Sequence, residues 1–221
     1  MTTSLSKKAA AELAFWQSRL AQQGVLSNDH YEYFYTTHFG LNNAFYAGKR
    51  ILDIGCGPRG SLEWATVAGL RVGVDPLADA YRQLGTQRHA MHYVACGAEH
   101  LPFPNAAFDV VCSFNSLDHV DDLARVIDEL RRVLAPEGYF LLLTDIHRHP
   151  TLMEPTAYAW DIVAKFLPEL QIVEQRQIEY TVFSPEGFGD IYQSLQHGTP
   201  YNHQEPTERT GILSVKFCKR G

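Results

Sequence analysis

Apolar positions along this chain recur with two different periods. Leu13, Trp16 and Leu20 fall at spacings of three and four, which predicts a packing helix over residues 6–23 that stops at Gly24. From Arg50 onward, short apolar runs replace that stripe. The runs 50–54, 71–75, 91–94, 108–114 and 139–144 each read as a strand. Helical stretches are predicted between them: one beginning at Ser61, one opened by Pro76, and one over Leu123, Val126, Ile127, Leu130, Val133 and Leu134. Asp121 and Asp122 precede the last of these, where acidic side chains suit a helix N-terminus. Pro136-Glu137-Gly138 reads as the turn into the fifth strand. The last third changes character, with a helix predicted over 155–167, a long strand over 170–180 and a final strand over 211–218. A short helix from Ser184 is predicted in the long connection between those two strands. Strands alternating with helices imply right-handed crossovers. The expected fold is α/β, a doubly wound, mostly parallel seven-stranded sheet with an N-terminal helical segment and a lid insertion before the last strand.

A chain of 221 residues can bury a proper core as one domain. We divide it into an N-terminal helical or lid segment (1–48), a ligand-binding core (49–145) and a substrate side (146–221) whose insertion spans 181–210. Its 45% hydrophobic and 20% charged residues are ordinary for a globular protein. No apolar run approaches the roughly 18 residues of a membrane span, and the N-terminus lacks an apolar signal core, so a cytoplasmic protein without a membrane partner is expected. A net charge of -6 disfavours a phosphate backbone as partner, so nucleic acid is not expected. Cys56, Cys96, Cys112 and Cys218 show no C-x-x-C spacing and read as reduced thiols, without disulfides or zinc.

The candidate chemistry begins at the end of the first strand. Gly55, Gly57 and Gly60 form G-x-G-x-x-G, and Asp75 lies about 20 residues beyond, as in a dinucleotide site. Two residues argue against a pyrophosphate there. Asp53, two positions before the first glycine, is expected near the mouth of the turn, where it would repel phosphate. Pro58 removes one N–H donor from the loop. A ligand carrying an ammonium and a sulfonium suits such a mouth better, and S-adenosylmethionine (SAM) is one.

The ordered set Leu52-Asp53-Ile54-Gly55-Cys56-Gly57, Gly73-Val74-Asp75, Ala98-Glu99-His100-Leu101-Pro102-Phe103, Phe108-Asp109-Val110-Val111, Leu117-Asp118-His119-Val120 and Arg132 to Gly138 resembles the class I SAM-dependent methyltransferases, in their small-molecule, type 11-like group. The resemblance covers roughly residues 50–145. It implies that Gly55, Cys56 and Gly57 pass beneath the methionine part of SAM, with Asp53 near its ammonium. Asp75 would accept hydrogen bonds from the ribose hydroxyls, with Pro76 beside it. Ala98 and Glu99 would flank the adenine, through a backbone N–H and the carboxylate respectively, and Asn115 would line the methionine side. The loop departs from the family's commoner form at Pro58-Arg59-Gly60, where smaller residues are usual.

Methyl transfer from a sulfonium needs alignment and exclusion of water, and an alcohol acceptor needs a base as well. Asp118 and His119 follow the fourth strand, and Asp145 and His147 the fifth. By resemblance to sugar-modifying O-methyltransferases, His119 paired with Asp145 is the preferred base and orienter. The spacing matches no metal motif, so no metal is assigned. The expected activity is methylation of a small polar acceptor at a hydroxyl oxygen. The alternatives are nitrogen or carbon acceptors, protein or RNA substrates, or an NAD-dependent oxidoreductase. The aromatic stretch Tyr31–Phe39 and the insertion 181–210 are expected to close over the acceptor, a homodimer interface being the rival use of both.

Overall fold

The computed structural model of the protein describes residues 5–147, 149–184, 189–202 and 211–221. Among these, seven strands form one sheet: β1 (Arg50–Ile54), β2 (Leu70–Val74), β3 (His92–Val94), β4 (Phe108–Phe114), β5 (Leu134–Ile146), β6 (Leu170–Glu179) and β7 (Gly211–Lys219). Their order is β3-β2-β1-β4-β5-β7-β6. The first five are mutually parallel. β7 enters between β5 and β6 and runs antiparallel to both. A mostly parallel seven-stranded α/β sheet is therefore what the alternation of periods predicts and what the chain forms.

Parallel strands need both faces covered, because crossovers pass over each side. One face carries Leu52, Ile54, Val72, Val74 and Val111 beneath α4 (Leu123–Val133) and the 3₁₀ segment Trp160–Phe166. The other carries Ile51, Val110, Cys112, Leu141 and Leu143 beneath α2 (Tyr31–Tyr35), the 3₁₀ turns that follow it, and α5 (Ile191–His197). The predicted stripe of α1 (Lys7–Gln23) packs against Leu26, Leu77, Tyr81 and Leu84, the last three in and around α3 (Ala78–Tyr81). None of the 17 residues of α1 is fully buried.

The structure corrects four local expectations. No helix starts at Ser61. The chain instead makes i to i+3 turns, with Glu63 N–H bonded to Gly60 C=O at 3.0 Å and Ala68 N–H to Ala65 C=O at 3.1 Å. The Arg71 guanidinium takes the carbonyls of Leu62 and Glu63, and the Glu63 carboxylate is spent on the N–H groups of Ala90 and Met91. The glycine turn thus lacks the helix N-terminus expected after it. The helix predicted over 155–167 begins only at Trp160, because Thr156 is pinned to the loop after β4, its N–H on Asp118 C=O and its hydroxyl on Val120 C=O. Pro136 to Gly138 do not separate the strand from the helix; they form a bulge within β5, with a register shift against β4 and Glu137 at φ 57°. The short helix lies at Ile191–His197 and does not start at Ser184; residues 185–188 and 203–210 of the insertion lie outside the described set.

The Tyr31–Phe39 stretch is not a cover over the acceptor side. Phe34, Tyr35, Thr36, His38 and Phe39 are buried against the sheet, and His38 Nε2 meets Ser214 Oγ of β7 at 2.8 Å. Its aromatic density serves a packed layer.

Candidate active site

β1 ends in a sharp turn in which Gly55 and Gly57 have φ of 70° and 56°. A Cβ at Gly55 would run into Ser116, whose Oγ would stand 2.8 Å away, so the turn closes against the loop after β4 only without a side chain. Ser116 holds that approach by donating to Ile54 C=O at 2.7 Å. Asn115, at φ 52°, donates its N–H to Leu143 C=O of β5 at 2.8 Å and leaves its side chain exposed at the strand end.

Asp53 does not sit at the mouth of this turn. Strand side chains alternate, so Asp53 shares the face of Ile51, beneath α2. It is buried, and the hydroxyls of Tyr35 and Ser61 both donate to its Oδ2. Burial outweighs those donors and raises its pKa to about 7. Asp75, at the end of β2, is also buried and is raised to about 6 by the same cause. Its two oxygens accept the N–H groups of Leu77 at 2.8 Å and Gly57 at 3.2 Å, tying the second strand end to the glycine turn. Cys56 is buried behind the turn, close enough to Gly73 that a Cβ there would stand 2.6 Å from its Sγ. Pro76 is exposed.

Ala98 is buried on the loop after β3. The Glu99 carboxylate accepts the N–H groups of Asp121 and Asp122 at 3.0 and 3.4 Å, at the start of α4. Both bonds fall on Oε1, so one oxygen of Glu99 supports the start of α4.

On the acceptor side the expected His119–Asp145 pair is not the one the fold builds. Among the described residues, the carboxylates within 4 Å of the His119 ring nitrogens are Asp118, 3.8 Å from Nε2, and Glu12 of α1, 3.7 Å from Nδ1. Asp145 accepts the hydroxyl of Tyr180. His147 is buried, with Nδ1 2.9 Å from His149 C=O and Nε2 3.6 Å from Asp118 Oδ2. The Asp118 carboxylate beside it raises the His147 pKa above the ordinary imidazole value. Asp118, His119 and His147 thus come together, with Asp118 fully buried at the centre.

Residues 52–142 match the family described as "Methyltransferase domain". The chain is 31% identical over 166 residues to a ubiquinone/menaquinone biosynthesis C-methyltransferase of Ralstonia pickettii, covering 73% of this chain and 60% of that protein. It is 32% identical over 143 residues to a ubiquinone biosynthesis O-methyltransferase of Psychrobacter arcticus, covering 61% of this chain and 52% of that one. In structure it resembles the N-methyltransferase NodS of Bradyrhizobium japonicum, with a TM-score of 0.59 at 16% identity over 84% of this chain and 93% of the other. Residues 52–142 are thus similar to a methyltransferase domain. The matched part spans roughly half to three-fifths of the two curated relatives.

The fold brings in residues that the motifs do not announce. Trp16 of α1 lies over the glycine turn, its ring 3.3 Å from where a Cβ on Gly57 would be, and its Nε1 donates to Glu12 at 2.9 Å. Lys8 crosses to His119 C=O at 2.7 Å and Asp121 at 2.6 Å. Glu154 joins the acceptor side, within reach of Asp118 and His119. For Glu12 and Trp16 the helical spacing of four was a usable signal that they share a face. For Tyr35, Ser61, Glu154 and Tyr180 no local signal existed, because each meets its partner only across the fold. Among the described residues, no helix is long and apolar enough to cross a membrane.

Proposed function

We propose that this chain transfers a methyl group from SAM to a small polar acceptor, with a hydroxyl oxygen as the accepting atom. The observation that carries this reading is the arrangement at adjacent strand ends: Asp75 and the bare glycine turn after β2 and β1, and an imidazole-carboxylate cluster after β4 and β5. In open α/β sheets, ligands bind outside the C-terminal strand ends. The residues fit SAM in their chemistry: two positive-φ glycines offer backbone without Cβ atoms, and Asp75 presents a buried carboxylate for ribose hydroxyls.

Bound SAM would supply an electrophilic methyl group on a sulfonium, with the neutral thioether as leaving group. The chain's own groups align the acceptor and take its hydroxyl proton. His119, partly exposed beside buried Asp118, is the imidazole that meets that proton, and Asp118 steadies the positive charge that results. His147 and its bond to His149 C=O fix the far side of Asp118. A sugar or other compact hydroxylated metabolite fits the polar character of this cluster. The acidic surface, at a net charge of -6, disfavours RNA as the acceptor. The relatives include one named for carbon and one for oxygen methylation, so the accepting atom rests on His119 and Asp118.

Titration calorimetry with SAM, S-adenosylhomocysteine and NAD tests the cofactor, and transfer of labelled methyl to a panel of hydroxylated compounds tests the acceptor. Binding of both SAM and S-adenosylhomocysteine, without NAD, is expected. Binding of NAD with no response to SAM would overturn the reading.

A further inference from the structure

Asp118 is 0% exposed, yet neither of its carboxylate oxygens has a hydrogen-bond partner. Buried carboxylates are ordinarily paired or coordinate a metal, because an uncompensated one is costly. Its surroundings supply donors at an unusual distance. His119 Nε2 stands 3.8 Å from Oδ1 and His147 Nε2 stands 3.6 Å from Oδ2, both too long for a charge-assisted hydrogen bond, which is about 2.7–2.9 Å. His147 Nε2 is itself buried and unpartnered. Its Nδ1 faces His149 C=O, so Nε2 is the ring nitrogen turned toward the Asp118 carboxylate.

Asp118, His119 and Glu154 each offer a ligand atom, and those atoms lie within 4.8 Å of one another. Two ligands about 2.1 Å from a tetrahedral ion stand about 3.4 Å apart, against 3.8 Å between Asp118 Oδ1 and His119 Nε2 and no more than 4.8 Å across the three, so a small inward shift would close them on an ion. Glu154 is buried and is set in place by Thr151, whose hydroxyl donates to its Oε2 at 3.0 Å. The Glu12 carboxylate, 3.7 Å from His119 Nδ1, is placed as the outer group that orients a ligating imidazole. His147 stands behind the second oxygen of Asp118.

We propose that Asp118, His119 and Glu154 form a binding site for a first-row divalent transition metal ion, with His147 orienting Asp118. One imidazole and two carboxylates favour Zn²⁺, Mn²⁺ or Co²⁺ over Mg²⁺ or Ca²⁺, which prefer all-oxygen sites. Three protein ligands leave an open position, the pattern of catalytic rather than structural sites. That position would take an oxygen of the acceptor, a role that rests on the methyl-transfer reading; His119 then serves the acceptor through the ion rather than as a free base.

The test is titration of the full chain with CoCl₂, followed by visible absorption and calorimetry, with Zn²⁺ and Mg²⁺ as competitors and SAM binding measured separately. One Co²⁺ per chain is expected, displaced by Zn²⁺ but not by Mg²⁺. Glu154→Gln should weaken Co²⁺ binding at least 10-fold while SAM binding persists, and Asp118→Asn should do the same. Absence of Co²⁺ and Zn²⁺ binding in folded, SAM-binding protein overturns the site, as does binding that survives Glu154→Gln unchanged. Loss of the SAM reading alone, with Co²⁺ still bound at these residues, leaves the site standing.

Discussion

The Trp16 indole rests on Gly57, its Cζ2 3.3 Å from the position a Cβ would take. α1 therefore lies across the turn that would receive the methionine part of SAM. It is held there by partly exposed groups: the Lys8 bonds to His119 C=O and Asp121, the 3.7 Å approach of Glu12 to His119, and the Arg59 guanidinium 5.4 Å from the Trp16 ring centroid. Exposed ion pairs contribute about 0–1 kcal/mol each, and an element with no fully buried residue opens at low cost.

Entry of the cofactor is expected to displace α1. Amide exchange over residues 7–23 should rise when S-adenosylhomocysteine is added, while β1 and β4 stay protected. Trp16→Ala should raise the association rate for SAM several-fold, because a closed state that must open reduces apparent affinity by its population. Unchanged exchange over 7–23 together with an unchanged association rate would mean that α1 does not gate the turn.

Asp53 makes stability depend on pH with a defined sign. Its folded pKa, about 7, lies above the ordinary 3.8, so the folded state holds a proton that the unfolded state releases. Stability is then full below about pH 4, falls as pH rises through 7, and levels off beyond. A difference of about three units corresponds to at most about 4 kcal/mol across that window. Asp75, raised to about 6, adds a fall of the same sign over a narrower range. Urea midpoints at pH 5 and pH 8 should therefore differ more in the wild-type protein than in Asp53→Asn. Equal pH dependence in the two would place the titrating group elsewhere.

Asp75→Asn should weaken SAM binding about 10- to 100-fold, the effect of roughly 1–3 kcal/mol for a buried polar partner left unsatisfied. The asparagine oxygen can still accept one of the N–H groups of Leu77 and Gly57, so the turn should persist. Calorimetry on the variant, with thermal unfolding as a control for the turn, reads both quantities. SAM affinity at the wild-type value would remove Asp75 from the ribose role.

Much of the sheet was legible because burial on two faces leaves a local trace. Phe108–Phe114, apolar but for Asp109 and Ser113, becomes a central strand, and the stripe from Leu123 to Val133 becomes α4 with Asp122 at its N-cap. The site was legible in its residues and less so in its pairings. The one-residue alternation along β1 already placed Asp53 on the face of Ile51, a consequence that its neighbouring glycines obscured. What sequence could not show is long-range competition for the same groups. Ser61 spends its hydroxyl on Asp53 and Arg71 claims the carbonyls of Leu62 and Glu63, so a segment of good helix formers stays in turns. Asp145 is taken by Tyr180 from the end of β6, which left His119 to Asp118 and Glu12.

His119→Ala should lower turnover about 10²- to 10⁴-fold, the range for loss of the group that takes the acceptor's proton or, with an ion bound, holds the ion that acidifies it, with little change in SAM affinity. The separation follows from position, since His119 sits beyond β4 on the acceptor side whereas Asp75 and the glycine turn sit beyond β2 and β1. His119 also contacts Glu12, so its loss frees α1 in part and should if anything speed cofactor entry. Asp145→Asn, by contrast, removes a carboxylate already bound to the Tyr180 hydroxyl and should cost far less turnover than His119→Ala. Steady-state rates with saturating SAM, set against calorimetric SAM affinities for both variants, distinguish these outcomes. Equal losses in the two variants would restore Asp145 as the partner of His119, and wild-type turnover in His119→Ala would remove the imidazole from proton transfer altogether.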